Sequence, residues 1–223
     1  MLVFVVILLS IPAYAEVVYV RAGMAASDGS FVVPGGEKSL TLTPTIGMGS
    51  TFEWSGVKIN VELQYTQKGV TSKRPVDDLT FAYYNDDEEL VVVSFGDQEL
   101  TYKYRYSYVE IPITVSFEPI PSLEVFGGVS LNLMVQSKLF IDGLPSEYDM
   151  LSEEYYGFTA SEQKKNAETK KTEFSLVGGI KYWYNDFFVD LRYVQGLTSV
   201  VDQEYNKEEN VLRYASFSIG VKI

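Results

Sequence analysis

The sequence predicts an all-β fold: an eight-stranded antiparallel up-and-down transmembrane β-barrel with its long loops gathered at one end. Three observations carry this reading. Apolar and polar residues alternate at period two along most of the 223-residue chain, and helical periodicity is nearly absent. Short and long connections alternate strictly between the strands, so every tight turn falls at one end of an up-and-down sheet. The formal net charge of -12 resides in the long connections, leaving strands and turns neutral.

The chain opens on an apolar run, Leu2 to Ile11, closed by Ala13-Tyr14-Ala15. This predicts a cleaved secretory signal peptide over residues 1–15, with the barrel domain filling 16–223, although no Lys or Arg precedes the run. Ten apolar residues are too few to cross about 30 Å of hydrocarbon as a helix. Two weaker strands follow, Val17 to Ala25 and Thr45 to Trp54. Val57 to Thr66 has the clearest alternation, odd positions apolar and even ones polar or charged, and the same parity recurs in Val109 to Phe117 and Leu123 to Leu133. Phe174 to Tyr184, Phe187 to Leu197 and Val211 to Ile223 complete the eight.

Tight turns are expected at Ser55-Gly56, at Glu118-Pro119-Ile120-Pro121 and at Asn185-Asp186. The long loops are residues 27–43, 70–101, 138–172 and 199–210, and Leu90 to Phe95 suits a small extra hairpin above the membrane. Their charged stretches, Asp86 to Glu89 and Lys164 to Lys171, read as solvated loop charge.

Composition removes several function classes. Without Cys or His there is no Ser-His-Asp or Cys-His catalytic group, no Cys/His zinc site and no disulfide framework. Only carboxylate pairs remain for catalysis, so a non-enzymatic role without cofactors is expected. The acidic balance, with pI about 4.5, argues against nucleic acid as a partner. Nothing after residue 15 approaches the 18 apolar residues of a transmembrane helix.

Alternation alone fits a soluble lipocalin-like barrel as well, with the two faces exchanged. The small residues Gly47, Gly49, Gly128, Gly179, Ser130, Ser175, Ser216 and Ser218 share a face with the charges, which suits a crowded lumen. Trp54, Phe117, Tyr182, Tyr184 and Phe187 lie near the tight turns, as an interfacial girdle would. Eight strands leave an interior just wide enough for side chains. The interior charge network is therefore expected to hold Arg21, Lys58, Glu62, Lys68, Glu110, Glu124, Lys181, Asp190 and Arg192, together with Lys222 and Glu53, centred on Glu62, Glu110 and Arg192. Buried charges need partners, and this set is nearly balanced. Two readings of it stay open, simple filling of the barrel and an ion or proton path.

Six motifs carry a family resemblance: Glu62 to Gly69, Tyr108 to Pro112, Phe126-Gly127-Gly128, Leu176 to Gly179, Asp190 to Leu197 and Ser218 to Ile223. In order, they resemble the β-barrel domain of the PorT-like porin family of Bacteroidetes-type bacteria. One departure is Ile223, where many such barrels end in Phe or Trp. The resemblance implies fold and an outer-membrane location in a Gram-negative bacterium, and little chemistry. The expected partners are outer-membrane lipid and a protein bound through the acidic, Tyr-rich loops. A narrow pore or a secretion component is the alternative, and a soluble carrier the remote one.

Overall fold

The computed structural model describes residues 17–29, 36–54, 57–85, 87–156, 160–164, 171–199 and 211–223. The signal-peptide segment, the Ser55-Gly56 turn, most of the Lys164 to Lys171 run and residues 200–210 lie outside them. Eight antiparallel strands close into a ring. They are β1 (Val17–Gly29), β3 (Thr41–Trp54), β4 (Val57–Val76), β7 (Gln98–Ile120), β8 (Leu123–Asp142), β10 (Thr172–Tyr184), β11 (Phe187–Gly196) and β12 (Leu212–Lys222). Pairing of β12 with β1 and of β8 with β10 closes the ring, so the wall has no free strand edge. The short β2 (Glu37–Ser39) and β9 (Glu162–Lys164) add to β4 and β8 beyond the ring, and β5 (Thr80–Tyr84) pairs with β6 (Leu90–Ser94) in a separate sheet.

The strand alternation becomes two walls of opposite chemistry. Ile113, Val115, Phe117, Val129, Leu176, Ile180, Leu191, Phe217 and Ile219 are exposed on the outside. Glu62, Glu110, Asn132, Ser175, Asp190 and Ser218 are buried inside. A soluble barrel has the reverse polarity, so the outer wall is built for hydrocarbon. Trp54, Phe117, Tyr182, Tyr184 and Phe187 are exposed at the turn end, where aromatic rings straddle the interface. Among the described residues no helix is long and apolar enough to cross a membrane.

Three expectations need correction. Residues 70–101 and 138–172 are not simply loops: β4 runs on to Val76, β7 starts at Gln98 and β8 continues to Asp142. At about 3.3 Å per residue, the 20 residues of β4 reach roughly 66 Å, well beyond the 9 to 11 residues of a tilted crossing. These extensions hold because each pairs with the next, from Val76 opposite Gln98 and from Thr101 opposite Asp142. A helix, α1 (Ser146–Tyr156), stands where none was expected. Finally, Glu53 and Lys222 are exposed rather than interior, because both sit at the turn-end rim where the lumen opens to water.

β8 carries one irregularity with large effect. Tyr108 pairs with Met134 whereas Ser107 pairs with Gln136, so Val135 is an extra residue that bulges outwards. Beyond it the parity of β8 flips: Ser137 and Leu139 are buried and Lys138 takes the outer face.

A ring with no free edge resists detergent. The full chain should migrate faster unheated than boiled in detergent gels; identical mobility in both states would contradict the closed wall.

Candidate functional site

The structure places all nine charges expected inside on the lumen side, and Lys58 is the most accessible of them, at the turn end. They form two clusters and a rim. In the lower cluster Arg192 lies between two carboxylates. Its Nη1 and Nη2 donate to Glu62 at 2.9 and 3.2 Å, and its Nε and Nη2 donate to Asp190 at 2.9 and 2.7 Å. Arg21 Nη1 donates to Asp190 at 3.2 Å, and the Tyr19 hydroxyl donates to Glu62 at 2.7 Å. Two guanidiniums thus face two carboxylates, which is the neutrality that a dry interior demands.

The upper cluster is built on Lys68. Its ammonium meets Glu110 at 2.8 Å and Glu173 at 3.3 Å, and lies over the rings of Tyr108 and Tyr214 at 4.4 and 5.3 Å. Gln64 joins the clusters: its Oε1 accepts from Arg21 Nη2 at 2.6 Å, and its Nε2 donates to Glu110 and, at 3.0 Å, to the Tyr214 hydroxyl. The expected single centre on Glu62, Glu110 and Arg192 is therefore two centres bridged by an amide. At the rim Lys58 pairs with Glu124 and Glu118, each at 3.2 Å. Lys181 sits among Tyr19, Phe188 and Trp183, at 4.3, 5.0 and 5.7 Å from the ring centres.

Sequence reasoning missed Glu173, because β10 begins at Thr172 rather than at Phe174. Its parity with Ser175 and Lys181 was the available signal. With Glu173 added and Glu53 and Lys222 removed, five bases face five acids inside. The lumen aromatics Tyr19, Tyr108, Tyr214 and Phe188 were also missed, since aromatic residues were assigned to the girdle alone. Among the described residues no group of three or more acids is placed to hold a metal ion. A groove of about 660 Å³ opens on the outer wall instead, where the small Ala22 lies between Val20, Ile46, Met48 and Ile219.

The loop end carries a second built feature. α1 packs on the β5–β6 hairpin through aromatic rings: Phe81 meets Tyr148 edge-on at 5.2 Å and Tyr156 at 5.4 Å, and Tyr83 stacks on Tyr155 at 4.1 Å. The Tyr156 hydroxyl donates to the Ala82 carbonyl at 2.8 Å. Burial against the hairpin pushes the Tyr148 hydroxyl pKa up. Glu147 and Asp149 favour the positive end of the helix, and Asp149 and Ser152 accept the backbone N–H groups of Ser161 and Ala160 at 2.9 and 3.1 Å, tying down the returning chain. The hairpin turns at Asn85, whose Oδ1 accepts from the N–H of Asp87 and Glu89. Gly143, at φ +91°, lets the chain leave β8 against the Glu99 carbonyl, where a Cβ would stand at 2.4 Å.

Residues 17–202 match the model of a family described as the outer membrane protein beta-barrel domain. The chain belongs to that family. Its members' setting is the outer membrane of Gram-negative bacteria, and that is where this barrel resides. No curated protein matches the chain in sequence. Among solved structures, the chain is similar to Neisserial surface protein A, NspA, at 12% identity and TM-score 0.43, covering 92% of this chain and 97% of that one. It is also similar to Ail, the attachment invasion locus protein of Yersinia pestis, at 10% identity and TM-score 0.45, covering 92% and 97%. The outer membrane protease OmpT of Escherichia coli aligns at 7% identity and TM-score 0.43, covering 94% and 97%. These likenesses are too remote to bear on function.

Proposed function

We propose that this chain is a non-enzymatic interaction protein of the cell surface, with the barrel as anchor and the loop-end cap as the element that engages a protein partner. The observation that carries this is the cap itself: α1 and the β5–β6 hairpin fold together on an aromatic cluster while Tyr84, Leu90, Val92, Met150 and Tyr156 stay exposed beside Asp87, Glu88 and Glu89. Exposed apolar residues grouped on a folded element mark contact surfaces. The lumen supports the same reading, since its arginines and carboxylates are consumed by one another. A photo-crosslinking residue at Val92 or Tyr84 should yield a discrete protein adduct in intact cells, and one at lipid-facing Leu176 should not. Adducts at none of the cap positions would sink this reading, and stepwise conductance in planar bilayers would favour a pore.

Two finer points belong to the same proposal. The six ordered motifs support a PorT-like affiliation within the family. Export by cleavage after Ala15 is supported by Ala13-Tyr14-Ala15, and the mature protein should begin at Glu16 in an intact-mass measurement.

A further inference from the structure

The β5–β6 hairpin has one open edge. The Phe95 N–H donates to the Leu79 carbonyl and the Asn85 N–H to the Glu89 carbonyl, at 2.8 and 3.0 Å. Between these two bonds the hydrogen-bonded pairs are therefore Phe81 with Val93 and Tyr83 with Val91. The alternate pairs, Thr80 with Ser94, Ala82 with Val92 and Tyr84 with Leu90, turn their N–H and C=O groups away from the partner strand. On the β5 side the outward Ala82 carbonyl accepts from the Tyr156 hydroxyl, so α1 occupies that edge. On the β6 side no strand follows among the described residues, and β6 pairs with β5 alone. Leu90, Val92 and Ser94 thus present backbone donors and acceptors from the segment Leu-Val-Val-Val-Ser. An unpaired edge rich in β-branched residues is a template for another strand.

Charge decides which strand. Between residues 75 and 100 the chain carries eight acids and no Lys or Arg. Asp87, Glu88 and Glu89 are exposed at one end of β6, and Asp77, Asp78 and Asp97 at the other. A second copy pairing antiparallel about Val92 would set Asp87 of each chain opposite Asp97 of the other, and like charges directly opposite destabilise a sheet. The exposed Glu147, Glu153 and Glu154 of α1 add to the same field. We propose that the open β6 edge takes up, as a third strand, an extended segment of a partner protein in which Lys or Arg flanks a short β-branched stretch. The main-chain groups of Leu90, Val92 and Ser94 hold it, the exposed face of Tyr84, Leu90 and Val92 continues beneath its outward side chains, and the acids at both ends receive its cations. This site refines the partner proposed for the cap and rests on that reading.

The test uses the full chain in detergent micelles and a fluorescein-labelled peptide, Lys-Lys-Thr-Val-Thr-Val-Thr-Lys-Lys, followed by anisotropy. One sister peptide carries Glu in place of every Lys, and another carries N-methyl groups on every Thr and Val amide. The Lys-flanked peptide should bind, and each sister should bind at least about tenfold more weakly. Val92→Pro removes an N–H that points to the open edge and none that bonds β5, and should weaken binding by about tenfold or more. Asp87→Asn with Asp97→Asn should weaken it and flatten its salt dependence. Absence of binding up to about 1 mM, equal binding of either sister peptide, or an unchanged affinity in Val92→Pro would each overturn the assignment. Self-association of the chain that Val92→Pro abolishes would also overturn it, by giving the edge to a second copy. Photo-crosslinks that persist at Tyr84 in cells while the peptide arms fail would leave the cap an interaction surface of another kind; loss of both would remove the interaction reading as well.

Discussion

Replacing Arg192 by Met is expected to destabilise the barrel by about 3 to 5 kcal/mol, the cost of leaving buried charge without its partner. Arg192 joins Glu62 and Asp190 with four hydrogen bonds, and without it only Arg21 and, for Glu62, the Tyr19 hydroxyl would stay within reach of the two carboxylates. The side chains of all four are almost fully enclosed, so water cannot replace the lost donors without opening the wall. Denaturant titration of the chain in lipid vesicles measures the effect. Arg192→Met combined with Glu62→Gln should recover part of the loss, because one stranded charge is then removed as well. A cost below 1 kcal/mol for the single change would mean that the lumen is wet enough to solvate these groups, and would revive the ion-path reading.

The second large effect comes from adjacent residues on opposite faces. Ile113→Arg should cost about 2 to 4 kcal/mol, because it sets a cation in the middle of the hydrocarbon belt. Ile113 is 48% exposed on the outer wall, opposite Val61 and Val129. Thr114 points inwards, 3.5 Å from Asn60 Nδ2 and opposite Gly128, so Thr114→Arg should fail differently, by crowding. Its guanidinium would compete for carboxylates already engaged by Arg21 and Arg192. Refolding yield into vesicles and in detergent separates the two: lipid dependence is expected for Ile113→Arg, while Thr114→Arg should be impaired in both. A neutral Thr114→Arg would remove the closed, packed lumen from the account.

How much of this was legible in the sequence follows from which rules are local. Side chains alternate faces at every residue of a strand, so Lys58, Glu62, Glu110, Asp190 and Arg192 could be assigned to one wall, and Val57, Ile113, Leu191 and Ile219 to the other, without knowing any partner. Connection lengths then set the topology, since two to four residues permit only a hairpin between neighbours. Composition fixed what the chain cannot do with histidine or cysteine. Contacts between distant residues were a different matter. Arg192 and Glu62 lie 130 positions apart, and nothing local says that Glu62 takes Arg192 while Glu110 takes Lys68. That choice follows from the stagger of the strands around the ring, which also makes Gln64 the bridge. The upper halves of β4, β7 and β8 looked like loop because their polar and aromatic residues have no membrane to face, and pairing with one another is what makes them strands. α1, with little apolar periodicity of its own, is held by the rings of the hairpin beneath it. The extra residue at Val135 also reversed the parity of β8, so that Lys138 takes the outer face opposite Arg105. A bulge is set by the register of its strand against the neighbours in the sheet, and those neighbours lie far off in sequence, so only the assembled barrel could decide it.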